Sequence, residues 1–127
     1  VFGRNQILGQ YKFTATFSQI GSYGVVLGVV DTLNKNKYFG NWSNNYVSYH
    51  NDSLCSVGGV GYNKKGSGFK TGEKVTVAID LKEGSIEWKV GSEIRCQETV
   101  AKLKDNSITW VPLIYLGKDD SVEISEE

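Results

Sequence analysis

The sequence lacks methionine and holds one proline (Pro112), one histidine (His50) and two cysteines (Cys55 and Cys96) in 127 residues. It also lacks net charge: 14 Lys and Arg balance 14 Asp and Glu. A balanced chain is poorly suited to nucleic acid or an anionic membrane surface, so neither is expected as a partner. No apolar run approaches the roughly 18 residues of a membrane-spanning helix. Catalysis and metal binding have little to draw on. A lone His50 in Tyr-His-Asn-Asp reads as a polar residue at a strand end, and the cysteine spacing matches neither a zinc site nor a redox motif. A disulfide is not signalled, and a lone buried cysteine most often behaves as a small apolar residue. No cofactor and no metal is expected. The missing Met, with the start Val1-Phe2-Gly3, gives the expectation of one domain over residues 1–127, cut from a longer protein. At this length a real core is affordable.

Helix formers are scarce too. Ala and Leu number 11 together, against 14 Val, 8 Ile, 7 Thr and 15 aromatics. β-Branched and aromatic side chains suit a pleated, half-buried surface. The 15 glycines fit hairpin turns. The fold class expected is all-β.

The strands can be placed by period. Tyr11–Phe17 alternates, with Tyr11, Phe13, Ala15 and Phe17 on one face and Lys12, Thr14 and Thr16 on a wet one. Gly24–Val30 is apolar on both faces and reads as central, with Gly28 marking a bulky neighbour that crosses closely. Residues 31–45 form a long polar loop with exposed-looking aromatics. Tyr46–His50 and Leu54–Val57 are short strands around an Asn51-Asp52-Ser53 turn. Residues 58–68, with five glycines, read as a loop. Val75–Leu81 and Ser85–Val90 make the clearest hairpin, with Trp88 inward. Glu98–Lys104 is the one stretch that reads as a short helix. Trp110–Leu116 is a strand whose Pro112 puts it at an edge or start, and Ser121–Ile124 closes the domain. Trp88 and Trp110 are assigned to the core. About ten such strands imply a β-sandwich or barrel.

Three stretches bear on phosphate and RNA chemistry, and none of them fits it. Gly66-Ser67-Gly68-Phe69-Lys70-Thr71 and Gly72-Glu73-Lys74 lack the glycine or lysine that a phosphate loop needs, and no helix follows. Asn63-Lys64-Lys65 with Tyr62, Phe69 and Lys70 mixes base and aromatic without a wider basic field, which reads as a solvated loop.

The order of segments resembles a divergent SPRY domain, the interaction module of TRIM-type ubiquitin ligases, SOCS-box adaptors and Ran-binding scaffold proteins. Tyr11-Lys12-Phe13-Thr14-Ala15 is similar to the first strand, with Thr14 where Glu is usual. Val26-Leu27-Gly28-Val29 is similar to the Val-Gly-Val strand. Tyr46–Asp52 resembles the element that ends in Asp-Gly, with Ser53 for Gly. Phe69–Asp80 resembles the Phe-x-x-Gly-Asp-Val segment most closely, with Glu73 for Asp. Ser85–Gly91 resembles the strand that ends in Asn-Gly, with Val90 for Asn. Val111-Pro112-Leu113-Ile114 and Ser121–Ile124 match the last two strands. The resemblance covers most of the chain.

It implies a bent two-sheet antiparallel sandwich of the concanavalin-A-like kind, without enzymatic activity. It also implies an intracellular, cytoplasmic adaptor, in some members selecting substrates for a ubiquitin ligase. Loops at one end would hold a short peptide or protein surface. Matched onto this chain, those loops carry Gly21, Ser22 and Tyr23, then Asn51 and Asp52, then Lys118 and Asp119. From the residues themselves, Tyr23, Trp42 and Tyr46 are aromatics not needed by the strand pattern and suit binding anchors. A lectin-like carbohydrate-binding sandwich is the alternative from another class. A hydrolase built on His50 and the cysteines is the third.

Overall fold

The computed structural model describes residues 9–21, 24–31, 46–57, 61–64, 66–116 and 121–126. Among them are ten strands: β1 (Gln10–Gln19), β2 (Val26–Asp31), β3 (Tyr46–His50), β4 (Leu54–Val57), β5 (Gly61–Lys64), β6 (Lys74–Asp80), β7 (Ser85–Val90), β8 (Glu93–Thr99), β9 (Trp110–Tyr115) and β10 (Ser121–Glu126). They form two five-stranded antiparallel sheets, ordered β10-β1-β6-β7-β8 and β5-β4-β3-β2-β9. The architecture is the two-sheet sandwich expected.

Alternation builds the core between the sheets. Phe13, Ala15 and Phe17 of β1, Val75, Val77 and Ile79 of β6, and Ile86 and Trp88 of β7 point inward. They meet Leu27 and Val29 of β2, Val47 and Tyr49 of β3, and Trp110 and Ile114 of β9. Trp88 is fully buried at the centre. Its ring lies 5.2 Å from that of Tyr49, centroid to centroid. Its indole N–H donates to the Leu27 carbonyl at 3.1 Å, so one side chain joins both sheets.

β2 is buried on both faces, as its composition requires. Its outward Val30 packs with Tyr46, Val111 and Leu113 in a second buried cluster. The neighbour that forces glycine at position 28 is backbone, not a bulky side chain. A Cβ there would run into the Val47 carbonyl of β3 and the Ser48 Cα. Pro112 does sit in an edge strand, because β9 ends its sheet.

Three expectations are corrected. Thr14, placed on the wet face, is 2% exposed, because β1 lies inside its sheet between β10 and β6. Within the glycine-rich stretch 58–68, Gly61–Lys64 is a strand that pairs with β4 from Leu54↔Lys64 to Val57↔Gly61. An edge strand needs a partner on one side only, so Gly61 is tolerated. The helix over Glu98–Lys104 is not formed. Glu98 pairs with Ile86 within β8, and a single 3-10 turn, Ala101–Lys104, follows and buries Leu103. Sheet pairing has overridden a weak local preference.

Candidate functional site

At one end of the sandwich three connections meet around a cleft of about 430 Å³. The β1–β2 connection contributes Ile20 and Gly21, the β3–β4 turn Asn51 and Asp52, and the β5–β6 connection Ser67, Phe69, Lys70 and Thr71. Hydrogen bonds join the three. Asn51 N–H donates to the Val25 carbonyl (3.2 Å), and Asn51 Oδ1 accepts from the Val25 N–H (3.0 Å). Phe69 N–H donates to the Asn51 carbonyl (3.2 Å), and Gly72 N–H to the Phe17 carbonyl (2.9 Å). The β3–β4 turn is closed by His50, whose Nδ1 accepts the Asp52 N–H at 3.1 Å.

The β5–β6 connection needs glycine where it presses on its neighbours. Gly66 and Gly68 have φ of +73° and +68°. A Cβ on Gly66 would meet the Arg95 carbonyl, and one on Gly68 the Asn51 carbonyl. Between the glycines and the core stands Tyr49, whose hydroxyl accepts the Gly68 N–H at 2.8 Å. Burial pushes that hydroxyl's pKa up, so it stays a neutral phenol. Tyr49→Phe is expected to cost about 1–3 kcal/mol, because the buried Gly68 N–H loses its acceptor. Urea unfolding of the variant beside wild type checks this.

Phe69 is the cleft's floor. It is 3% exposed and stacks on Phe17 with ring centroids 5.8 Å apart. Its position is fixed from behind by Arg95 of β8. The guanidinium donates to the Gly68 carbonyl (3.0 Å) and to Glu73 Oε2 (2.6 Å), and its Nε pairs with Glu93. Glu73 Oε1 in turn accepts the Lys70 N–H at 2.8 Å. The hydrogen bond from Arg95 holds the Glu73 carboxyl below the usual carboxylate range. The result is an apolar floor on a braced frame. Its rim carries exposed Lys70, Thr71, Ser67 and Asp52.

Of the residues expected from the sequence, Gly21, Asn51 and Asp52 are brought together here. Ser22, Tyr23, Trp42, Lys118 and Asp119 lie outside the described residues. Tyr46 is a correction. It opens β3, is 4% exposed, and packs in the second cluster, its hydroxyl accepting from Ser56 Oγ at 3.1 Å. The outer face of this sheet is itself buried, so an aromatic there is structural. Ile20, Ser67, Phe69, Lys70 and Thr71 were not read as site residues. The available signal was glycine at 66, 68 and 72 bracketing one aromatic. A second hollow of about 350 Å³ at the opposite end is bounded by strand residues such as Lys12, Ala78 and Glu87, and includes none of the expected ones.

No family model and no curated protein matches the sequence. Solved structures do match. The SPRY domain of human HERC1 superposes with a TM-score of 0.73 at 14% identity, over 98% of this chain and 80% of that one. The chain has the SPRY fold. The TRIM65 PSpry domain gives 0.70 at 14% identity, over 98% of this chain and 69% of its own. Stonustoxin gives 0.74 at 11% identity, and there the chain spans 20% of a much longer protein. The SPRY sandwich thus accommodates this sequence along nearly its whole length, with most side chains changed.

Proposed function

We propose that this SPRY-fold domain is a non-catalytic protein-interaction module. It takes a short peptide, or a protruding segment of a protein surface, into the cleft between Ile20, Asn51, Phe69 and Lys70. The observation that carries this is the brace behind the floor. Arg95, Glu73 and Tyr49 fix the loop from within, so an apolar floor with a mixed polar rim is held ready for a ligand rather than assembled around it. A rigid aromatic floor with a hydrogen-bonding rim is the usual anatomy of a binding surface. The SPRY fold of HERC1 and TRIM65 supports the same reading. So does the siting of the reactive groups: Cys55 and Cys96 pack in the core, and His50 Nδ1 is taken up by the Asp52 N–H. In this reading the domain works in the cytoplasm as an adaptor within a longer chain, and any catalysis belongs to other parts of that chain.

A displayed random-peptide library tests the proposal. Selected peptides are expected to bind wild type and to lose about tenfold or more in affinity to Lys70→Glu, with Tm unchanged. If no peptide is enriched while a glycan array shows saturable sugar binding, the carbohydrate-binding alternative replaces this one.

A further inference from the structure

The bond by which His50 closes the β3–β4 turn depends on where its protons are. Its Nδ1 accepts the N–H of Asp52, two positions on, at 3.1 Å, the imidazole counterpart of an Asx-turn. A neutral imidazole that accepts at Nδ1 carries its hydrogen on Nε2. That edge of the ring lies against Gly24, where a Cβ would run into Nε2 and into Asn51 Oδ1. Glycine there makes the seat that holds the ring in this orientation. The side chain is 20% exposed, so protons reach it, and Asp52 Oδ2 stands 3.7 Å from the same Nδ1. Asp52 thus presents two groups to one nitrogen, a backbone donor and a carboxylate acceptor. Along the sheet, Val26 of β2 lies opposite His50 and separates it from Tyr115 of β9. On the other side, Leu54 of β4 follows Cys55, the partner of Tyr49, and is itself opposite Lys64 of β5. Tyr115 and Lys64 therefore stand two strands away, about 10 Å, where solvent and salt weaken their influence. Lys70 lines the same cleft as Asp52.

We propose that His50 is a proton switch for the rim of the cleft. Neutral, it holds the Asp52 N–H and leaves the Asp52 carboxylate, 73% exposed, to a ligand. A second proton enters at Nδ1, because Nε2 already carries one. Nδ1 then turns from acceptor into donor. The Asp52 N–H is released to water, and the carboxylate turns onto the imidazolium. The turn itself stays closed, because the Asn51 N–H remains on the Val25 carbonyl and the Ser53 N–H on the His50 carbonyl. What changes is the rim: its acidic group is withdrawn and paired with a cation, so Lys70 loses its counterweight across the cleft. Histidine is the side chain suited to change charge between about pH 5 and 8. The effect on binding rests on the cleft being the peptide site. The switch within the turn does not.

Two measurements test it. In the free protein, NMR follows the His50 ring and the Asp52 amide from about pH 8 to about pH 5.5, above the ordinary carboxylate range. The Asp52 amide proton is expected to move upfield in step with the imidazole and to lose protection against hydrogen exchange, while the Asn51 and Ser53 amides keep theirs. Separately, a histidine-free peptide selected from the library at about pH 7.5 is expected to bind about fivefold more weakly at about pH 5.5, because it was chosen against the neutral state. His50→Asn keeps an acceptor for the Asp52 N–H but takes no proton, so its affinity for that peptide should be equal at the two pH values. The amide readout needs no variant and stands if His50→Asn does not fold. An Asp52 amide that keeps its position and protection while the imidazole titrates, or an imidazole that takes no proton in this range, would overturn the switch. A peptide that loses affinity to Lys70→Glu, yet binds wild type equally at both pH values, would leave the cleft in place and overturn its regulation by His50. If no peptide is enriched, the cleft reading falls, and the amide readout alone decides the switch.

Discussion

Trp88→Ala is expected to lose about 3–5 kcal/mol of folding free energy, a large part of the 5–15 kcal/mol typical of a whole domain. Trp88 is 0% exposed and sits where the two sheets meet. Its removal takes away the face that packs on Tyr49 and opens a cavity at the centre of the layer. It also leaves the Leu27 carbonyl without its donor. Trp88→Phe separates these effects. It keeps most of the apolar volume and loses the N–H, so about 1–2 kcal/mol should go. Urea unfolding of the two variants beside wild type gives both numbers. A loss under about 1 kcal/mol for Trp88→Ala, at an unchanged m-value, would mean that the layer is held elsewhere.

What the sequence shows and what it hides follow from how many neighbours a strand has. The hairpin Lys74–Asp80 and Ser85–Val90 lies inside its sheet, with one face on the core, so a strict period of two is imposed on it and can be read. β8 is at the edge. Its pairing slips between Trp88 and Lys89, which leaves Ile94 half-exposed and breaks the alternation that would have marked a strand. β5, also at an edge, is disguised by glycine. The cleft divides in the same way. Gly21, Asn51 and Asp52 were legible because turn residues and the SPRY resemblance both point to them. Phe69 and Lys70 were not, because what brings them to Asn51 is the Phe69 N–H bond to its carbonyl, a contact across 18 positions that no local pattern encodes. Tyr46 misled because a tyrosine beside a polar loop looks spare until the outer face of its sheet is known to be buried.

The brace behind the cleft should be separable from the core, and Arg95→Ala tests this. The guanidinium is 16% exposed and satisfies the Gly68 carbonyl and both neighbouring carboxylates, Glu73 and Glu93. Deleting it leaves Glu73, at 25% exposure, without its cation. The expected loss is about 2–3 kcal/mol of stability, and in the proposed reading the affinity for library-selected peptides falls further because the frame under Phe69 and Lys70 is released. The ionic part has a defined pH signature. The folded-state pKa of Glu73 is depressed below 4.5, chiefly by the hydrogen bond from Arg95. Its contribution is therefore fully present above the unfolded value and disappears as pH falls through the folded one. Asp80 and Asp105 are depressed as well, by hydrogen bonds from the Glu83 N–H and from Ser107, and add their own losses on acidification. The comparison must then be with Glu73→Gln, which leaves both of them in place. Wild type should be the more stable of the two at pH 7, and its lead should shrink steadily below about pH 4.5. A gap that stays constant down to pH 3 would show that shape, not charge, is what Glu73 supplies.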